Sequence, residues 1–426
     1  MKTITFINYI IAILFFVCYS YRALYILVPF VRRGRAHGKT KLHRYAVLIA
    51  ARNEEAVISK LIESINDQTY PSGLIKVFVV ADNCTDHTAA RAAAAGAVVW
   101  KRFDRKQIGK GYAIDFLLDR IAETYPENAF DGYFIFDADN LLDENYISEM
   151  NKSFSDGNRI ITSYRNSKNY GSNWLSAGIS LWFLHESQYI NRSRMLLGTS
   201  CAVSGTGFLF HRDIIEKSDG WKFFLLTEDI EFTISNVLDG EKIAYCESAV
   251  LYDEQPVKFS QSLNQRMRWA KGYLQVFKKY GMKLMKSIFS KGRSSRRFAC
   301  FDMVMTVMPA IVLTVLSGII NLCGAIYGLL SGGDIPLLAQ SVYESVANAY
   351  LTFFMIGCIA TITEWKRIYC PAVKKILYTF TFPLFMFTYI PISIAVLFKK
   401  VEWKQIYHRE SKTLNEVRNV EDQFIA

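Results

Sequence analysis

Apolar and polar positions alternate on two different scales along the chain. Residues 4–31 read ITFINYIIAILFFVCYSYRALYILVPFV, a run long enough to cross the roughly 30 Å hydrocarbon core as a helix. From Tyr45 the period shortens. YAVLIA (45–50) predicts a strand, and Ile58, Leu61, Ile62 and Ile65 fall at helical spacing within 54–67. IKVFVVA (75–81), an Ala-rich helix from Thr85 to Ala95, a strand at Val98–Trp100, a helix from Lys110 to about Thr124 and the strand GYFIFD (132–137) continue the alternation. Alternating strands and helices predict an α/β fold, a mostly parallel sheet covered on both faces. Beyond residue 298 long apolar runs return at 301–330, Val342–Thr363 and Ile376–Phe398, the last holding Pro383 and Pro391.

Charge sharpens this division. The 426 residues carry a net charge of +11, which alone would suit a nucleic acid or an anionic membrane. Fourteen Lys and Arg, however, sit in two acid-free stretches, Arg32–Arg44 and Lys278–Arg297, and removing them turns +11 into −3. These are two basic collars beside apolar runs. With Lys366, Arg367, Lys374 and Lys375 they predict, by the positive-inside rule, a cytosolic domain over 45–298 and an external connection at 331–341. The first run continues nine residues past Arg22 without a small-x-small cleavage site, the pattern of a retained anchor and not a signal peptide. Arg22 either snorkels or faces a polar path. One crossing by 376–398 would place the basic tail outside, so a Pro-broken re-entrant hairpin is expected to return it. The eight cysteines show no CxxC spacing, which supports neither disulfides nor zinc.

Three strands run into polar groups at their carboxyl ends: Ala51-Arg52-Asn53-Glu54, Asp82-Asn83, and Asp137-Ala138-Asp139. Ligands of such sheets bind at that rim. Phosphate-loop, GxGxxG, GxSxG and HExxH motifs are absent, which removes the ordinary NTPase, dinucleotide, serine-hydrolase and zinc-protease readings. Asp137 and Asp139 suit a hard divalent cation shared with a diphosphate, or a capped strand-end turn. Asp82 suits a base N–H, or an Asx turn or helix cap. Lys110, between Gly109 and Gly111, either faces a phosphate or opens a helix. Thr227-Glu228-Asp229 follows the apolar WKFFLL, so its acids suit a general base, or a helix start with Thr227 as cap. In Gln265-Arg266-Met267-Arg268-Trp269 the arginines suit a diphosphate and Trp269 a sugar face, or the group forms a membrane-interface belt.

Taken in order, ARNEE (51–55), VADNCTD (80–86), GKGYAID (109–115), DAD (137–139), SGTGF (204–208), TED (227–229) and QRMRW (265–269) resemble the processive membrane polysaccharide synthases, inverting GT-A glycosyltransferases of family 2. The resemblance covers about Tyr45 to Tyr280. It implies a Rossmann-like GT-A domain at 45–272 between an N-terminal transmembrane helix (1–31), an amphipathic interface region (273–298) and a C-terminal transmembrane region (301–398), with 399–426 a cytosolic tail. It implies donor contacts from Ala51, Arg52, Glu54, Asp82 (uridine), Lys110, Asp137, Gln265, Arg268 and Trp269. Asp139 assisted by Asp137 would hold Mg2+ or Mn2+. Gly205, Thr206, Gly207 and Trp269 would meet the acceptor, and Asp229 would be the base with Glu228 in support. The implied function is polymerisation of a UDP-sugar, UDP-glucose first, into a β-linked polysaccharide secreted through its own channel in a bacterial cell membrane, with no nucleic-acid partner. A UDP-N-acetylglucosamine polymerase and a single transfer to a membrane lipid are the alternatives. Ala81 departs from the Asp-Asp pair of many relatives, which leaves Asp82 alone for the base contact.

Overall fold

The computed structural model describes residues 2–34, 36–290, 294–330, 335–403, 406–408 and 410–419. Parts of both collars, of the connection at 331–341 and of the tail lie outside the described residues.

Helix α1 (Lys2–Val31) leads into strand β1 (Tyr45–Ala51), followed by α2 (Ile58–Asn66), β2 (Ile75–Asp82), α3 (Thr88–Ala94), β3 (Val98–Arg102), α4 (Lys110–Thr124) and β4 (Gly132–Asp137). Successive side chains of β1 point to opposite faces, as strand geometry requires. Tyr45, Val47 and Ile49 join one apolar cluster with Ile58, Leu61, Ile62 and Ile65 of α2. Ala46 and Leu48 join the other with Ile114 and Leu117 of α4. Each such buried aliphatic side chain contributes on the order of 1.5–3 kcal/mol. The parallel register sets Ala51 beside Ala81 and Ala50 beside Asp137, so the three polar strand ends share one rim as expected.

The second half of the sheet differs from the mostly parallel expectation. Strand β5 (Leu141–Leu142), α5 (Tyr146–Ser155), β6 (Ile160–Ser167), α6 (Trp174–His185), a π-helical turn (Glu186–Asn191), α7 (Arg192–Leu197), β7 (Phe208–His211), α8 (Asp213–Ser218), α9 (Glu228–Leu238) and β8 (Ile243–Asp253) complete it. The order is β3-β2-β1-β4-β7-β6-β8-β5, with β7 antiparallel to both β4 and β6, and β5 antiparallel to β8. The sheet is therefore mixed, because β7 returns the chain between two strands that run the other way.

Helix α10 (Phe259–Phe289) is continuous across the expected boundary at 272/273. After it come α11 (Ser294–Val307), α12 (Pro309–Leu330), α13 (Ile335–Thr363), α14 (Ala372–Phe387), α15 (Tyr389–Phe398) and the short α16 (Leu414–Arg418). Among the described residues four stretches are long and apolar enough to cross a membrane: Tyr9–Val31, Ser294–Gly328, Val342–Thr363 and Ala372–Phe398. Arg22 does not snorkel. Its Nη2 lies 3.0 Å from Thr306 Oγ1 and 3.7 Å from Asp302 Oδ1, and Asp302 also accepts from Tyr21 (2.6 Å), Tyr25 (2.9 Å) and Arg194 of α7 (2.7 Å). This buried network clamps α1 and α11 to the catalytic domain.

The expected hairpin at 376–398 takes another form. Only Thr388 separates α14 from α15, and its φ of −65° and ψ of −13° are helical, so the run kinks without a reversing loop. Pro391 accounts for the break, since it has no N–H for the preceding turn. Both ends nevertheless touch the catalytic side: Lys374 Nζ donates to Gly171 O (2.9 Å) and Lys271 Nζ to Val396 O (2.8 Å).

Candidate active site

The rim is assembled from strand ends that sequence distance separates. Lys110, at the start of α4, donates to Asp137 Oδ1 and, at 2.8 Å, to Gly205 O. One ammonium thus joins three of the motifs. Thr206 Oγ1 accepts from Asp137 N (2.9 Å) and bonds Asn140 Oδ1. Its hydroxyl therefore fixes the DAD turn. Gly207 has φ +67°, and a Cβ there would lie 1.8 Å from Leu251 Cδ2, so only glycine fits. A Cβ on Gly205 would lie 3.8 Å from both Asp229 Oδ2 and Arg165 Nη1. The Gly205 loop is the wall between the Lys110–Asp137 pair and the TED acids.

Those acids behave unlike the rest of the rim. Thr227 makes no side-chain cap on α9, and its buried hydroxyl has no partner among the described residues. Burial first, and the charge of Asp229 second, push Glu228 up to about 7. Burial raises Asp229 as well, while Lys110 and Arg268 act on both in the opposite sense. Raised carboxylates beside cations are the arrangement that general-base chemistry requires near neutral pH.

QRMRW divides around α10. Arg268 faces the acids, whereas Arg266 is fully buried, with its guanidinium 4.5 Å from the Phe385 ring centroid and hydrogen-bonded to Thr388. Trp269 is half-buried and meets Phe183 edge-on at 5.9 Å. The side-chain oxygen of Gln265 is buried without a partner among the described residues.

On the donor side, Asp82 neither caps α3 nor stands free. Its Oδ1 accepts from Arg102 Nη1 at 2.7 Å, both side chains being 7% exposed, and from Asn83 Nδ2 at 3.1 Å. Asp86 takes the N-terminal role at α3, accepting from Thr88 N (3.0 Å). Ala51 is buried, and its carbonyl accepts from Cys84 Sγ (3.4 Å).

The remaining donor-side contacts come from a segment to which no motif assigns a chemical role. The tail folds back over the rim. Trp403 lies 4.9 Å from the Arg52 guanidinium, His408 Nδ1 is 3.0 Å from Glu54 Oε2, and Glu410 N donates to Glu254 Oε2 (2.9 Å). A capping box at Thr413 starts α16, whose Arg418 pairs with Asp143 (2.6 Å) and Glu144 (2.9 Å). Burial works against a charged His408, but Asp139 and Glu54 outweigh it and its pKa rises to about 10.

Asp139 accepts from Glu254 N (2.8 Å). Burial works against its charge, yet His408, Lys168, that N–H and Arg165 together hold its pKa below the ordinary value. Arg165 also pairs with Asp253, which burial pushes up to about 6 despite that partner. Among the described residues no three His, Cys, Asp or Glu side chains converge to hold a metal by themselves. Mg2+ and Mn2+ suit hard oxygen ligands, and Mg2+ is commonly bound by one or two carboxylates plus substrate phosphates. Asp137 and Asp139 on one turn fit that mode. Arg102, Arg165, Lys168, Asp253, Glu254 and His408 escaped the motif reading; Arg102 alone left a signal, as the residue that the β2–β3 register sets beside Asp82.

A family model described as glycosyltransferase-like family 2 matches residues 43–272. The chain belongs to this family. It is a glycosyltransferase with the GT-A fold. A probable glycosyltransferase, YdaM, of Bacillus subtilis (strain 168) is 24% identical over 343 residues, 77% of this chain and 77% of that protein. The β-monoglucosyldiacylglycerol synthase of Nostoc sp. (strain PCC 7120) is 25% identical over 280 residues, 62% of this chain and 56% of its own length; this chain therefore spans about half of that relative. A mannosyltransferase, PcManGT, from Pyrobaculum calidifontis, solved with GDP-Man and Mn2+, superposes with a TM-score of 0.60 over 91% of this chain and 98% of its own at 14% identity. The family is wider than the polysaccharide synthases whose motifs the chain resembles.

Proposed function

We propose that the protein transfers a hexose, glucose first, from a UDP-sugar with inversion, and that the acceptor is the end of a growing β-linked polysaccharide at the membrane face. One observation carries the reading: the raised pair Glu228–Asp229 lies across Gly205 from Lys110 and Asp137 and faces Arg268. Asp82, held by Arg102, takes the uracil edge through its other oxygen. Lys110 and Arg268 bind the diphosphate and oppose the charge that grows on it as the glycosidic bond breaks. Asp229 takes the proton of the acceptor hydroxyl as that oxygen attacks C1 from the opposite face, so an α-linked donor gives a β-linked product. Asp137 and Asp139 would hold a divalent cation, which when bound supplies Lewis-acid stabilisation of the leaving UDP. The apolar helices support a location at a bilayer, with the tail on the catalytic side.

A second reading, one glucosyl transfer to a membrane lipid, is favoured by the β-monoglucosyldiacylglycerol synthases among the relatives. Product length separates the two. Membranes given radiolabelled UDP-glucose should yield a ladder on a sizing gel; a single added sugar on lipid rejects chain extension.

A further inference from the structure

The π-helical turn that ends α6 begins at Glu186. A π turn inserts an extra residue into a helix and re-aims the side chains around it, and such turns concentrate at functional sites. Its two flanks are tied to the site. Arg165 lies 3.8 Å above the Phe183 ring and donates its backbone N–H to Ser187 Oγ at 3.2 Å. Phe183 in turn meets Trp269. Glu186 lies between these anchors, half-exposed; its backbone N–H donates to the end of α6, and its carboxylate has no hydrogen bond or ion pair among the described residues.

The groups that face it come from many elements: Arg194 of α7, Arg165 of β6, Asp229 of α9 and Arg22 of α1, with Tyr273 of α10 and Tyr389 of α15 feeling its charge. All three guanidiniums are committed elsewhere. Arg194 pairs with Asp302 at 2.7 Å, Arg165 with Asp253, and Arg22 bonds Tyr21 and Thr306. A half-exposed carboxylate beside a general base, with no side chain bonded to it, is available to a hydrogen-bond donor that enters the site.

We infer that Glu186 is an acceptor-binding carboxylate that receives a second hydroxyl of a polyhydroxylated acceptor while Asp229 takes the first. This rests on the reading of Asp229 as base and deepens it by naming the acceptor class. An ionised carboxylate only accepts hydrogen bonds. A sugar end offers hydroxyls next to the attacking one. Diacylglycerol offers one hydroxyl, which Asp229 uses, and ester oxygens that would repel Glu186. The acceptor is accordingly a glycosylated end, either of a glycan or of a lipid that already bears a sugar.

The test uses the full chain in vesicles with UDP-glucose as donor. Octyl β-glucoside, cello-oligosaccharide and diacylglycerol are compared as acceptors for wild type, Glu186→Ala and Glu186→Gln. Wild type is expected to prefer the two sugar acceptors. Losing a charged hydrogen bond corresponds to a rise in sugar-acceptor KM of about 10-fold or more for Glu186→Ala, with the donor KM moving less than twofold. Glu186→Gln, whose amide oxygen still accepts, is expected at about threefold, and it carries the comparison if the alanine variant does not accumulate. Preference for the glycan over the glucoside, or the reverse, tells which source supplies the sugar end. An acceptor KM that neither variant moves, equal rises in donor and acceptor KM, or a wild type that prefers diacylglycerol overturns the inference alone. No UDP release by wild type from any UDP-sugar overturns the donor reading and this inference with it.

Discussion

The two sides of the rim treat charge in opposite ways. On the donor side Asp82 is paired with Arg102, Asp137 with Lys110 and Glu54 with His408, and Asp139 has the N–H of Glu254. On the acceptor side Glu228, Asp229 and Glu186 have no ion pair among the described residues, and burial raises all three. Paired charges keep fixed positions and bind. Unpaired, partly buried carboxylates hold protons more tightly and are available to move them. The difference teaches that binding and chemistry are divided along the Gly205 loop.

Removing the base should break the acceptor side outright. Asp229→Asn is expected to lower kcat by about 10²–10⁴-fold, the usual worth of general-base catalysis, while UDP still binds by calorimetry. Turnover at the wild-type rate would exclude Asp229 as base.

The donor side should fail differently. Arg102→Met leaves Asp82 buried without its cation, a change that costs about 3–5 kcal/mol when a buried pair is broken. A lower melting temperature and a raised donor KM are expected. If melting is unchanged, Asp82 is not held by this pair.

A pH profile sharpens the contrast. The base works only when ionised, and burial raises its pKa, so kcat/KM should fall as pH drops through a limb above the ordinary aspartate value. Arg268→Gln removes a cation that holds Asp229 down, so the limb should move to higher pH. A limb that stays put would show that Arg268 does not act on the base.

The smallest effects belong to the tail. His408→Ala frees Glu54 and removes a cation from Asp139, and a several-fold rise in donor KM is expected with little change in acceptor KM. A cysteine placed at Lys412 should escape an impermeant reagent in intact cells, and labelling would put the tail on the wrong side for every contact at Glu54, Glu254 and Asp143.

The donor half was legible because it is local. Strand β4 and helix α4 have the bounds that periodicity predicts, and the rim follows from where Ala51, Asp82 and Asp137 end their strands. The TED and QRMRW motifs likewise mark residues that reach one centre, Asp229 and Arg268. What the pattern missed depends on distant pairing. Strand β7 lies between β4 and β6, against sequence order, for reasons no single segment contains. His408 meets Glu54 across 354 positions, and its own neighbourhood reads only as a basic tail. Glu186 lay in an apolar helix whose π turn has no signature at the level of periodicity.

The most direct measurement follows the anomeric carbon. Membranes carrying the wild-type chain are incubated with Mg2+ or Mn2+ and individual radiolabelled UDP-sugars, and any product is digested with anomer- and linkage-specific glycosidases. The account expects incorporation from a UDP-hexose into a product that β-glycosidases release and α-glycosidases leave intact, and none with Asp229→Asn. An α-linked product, or incorporation that survives Asp229→Asn, would contradict it.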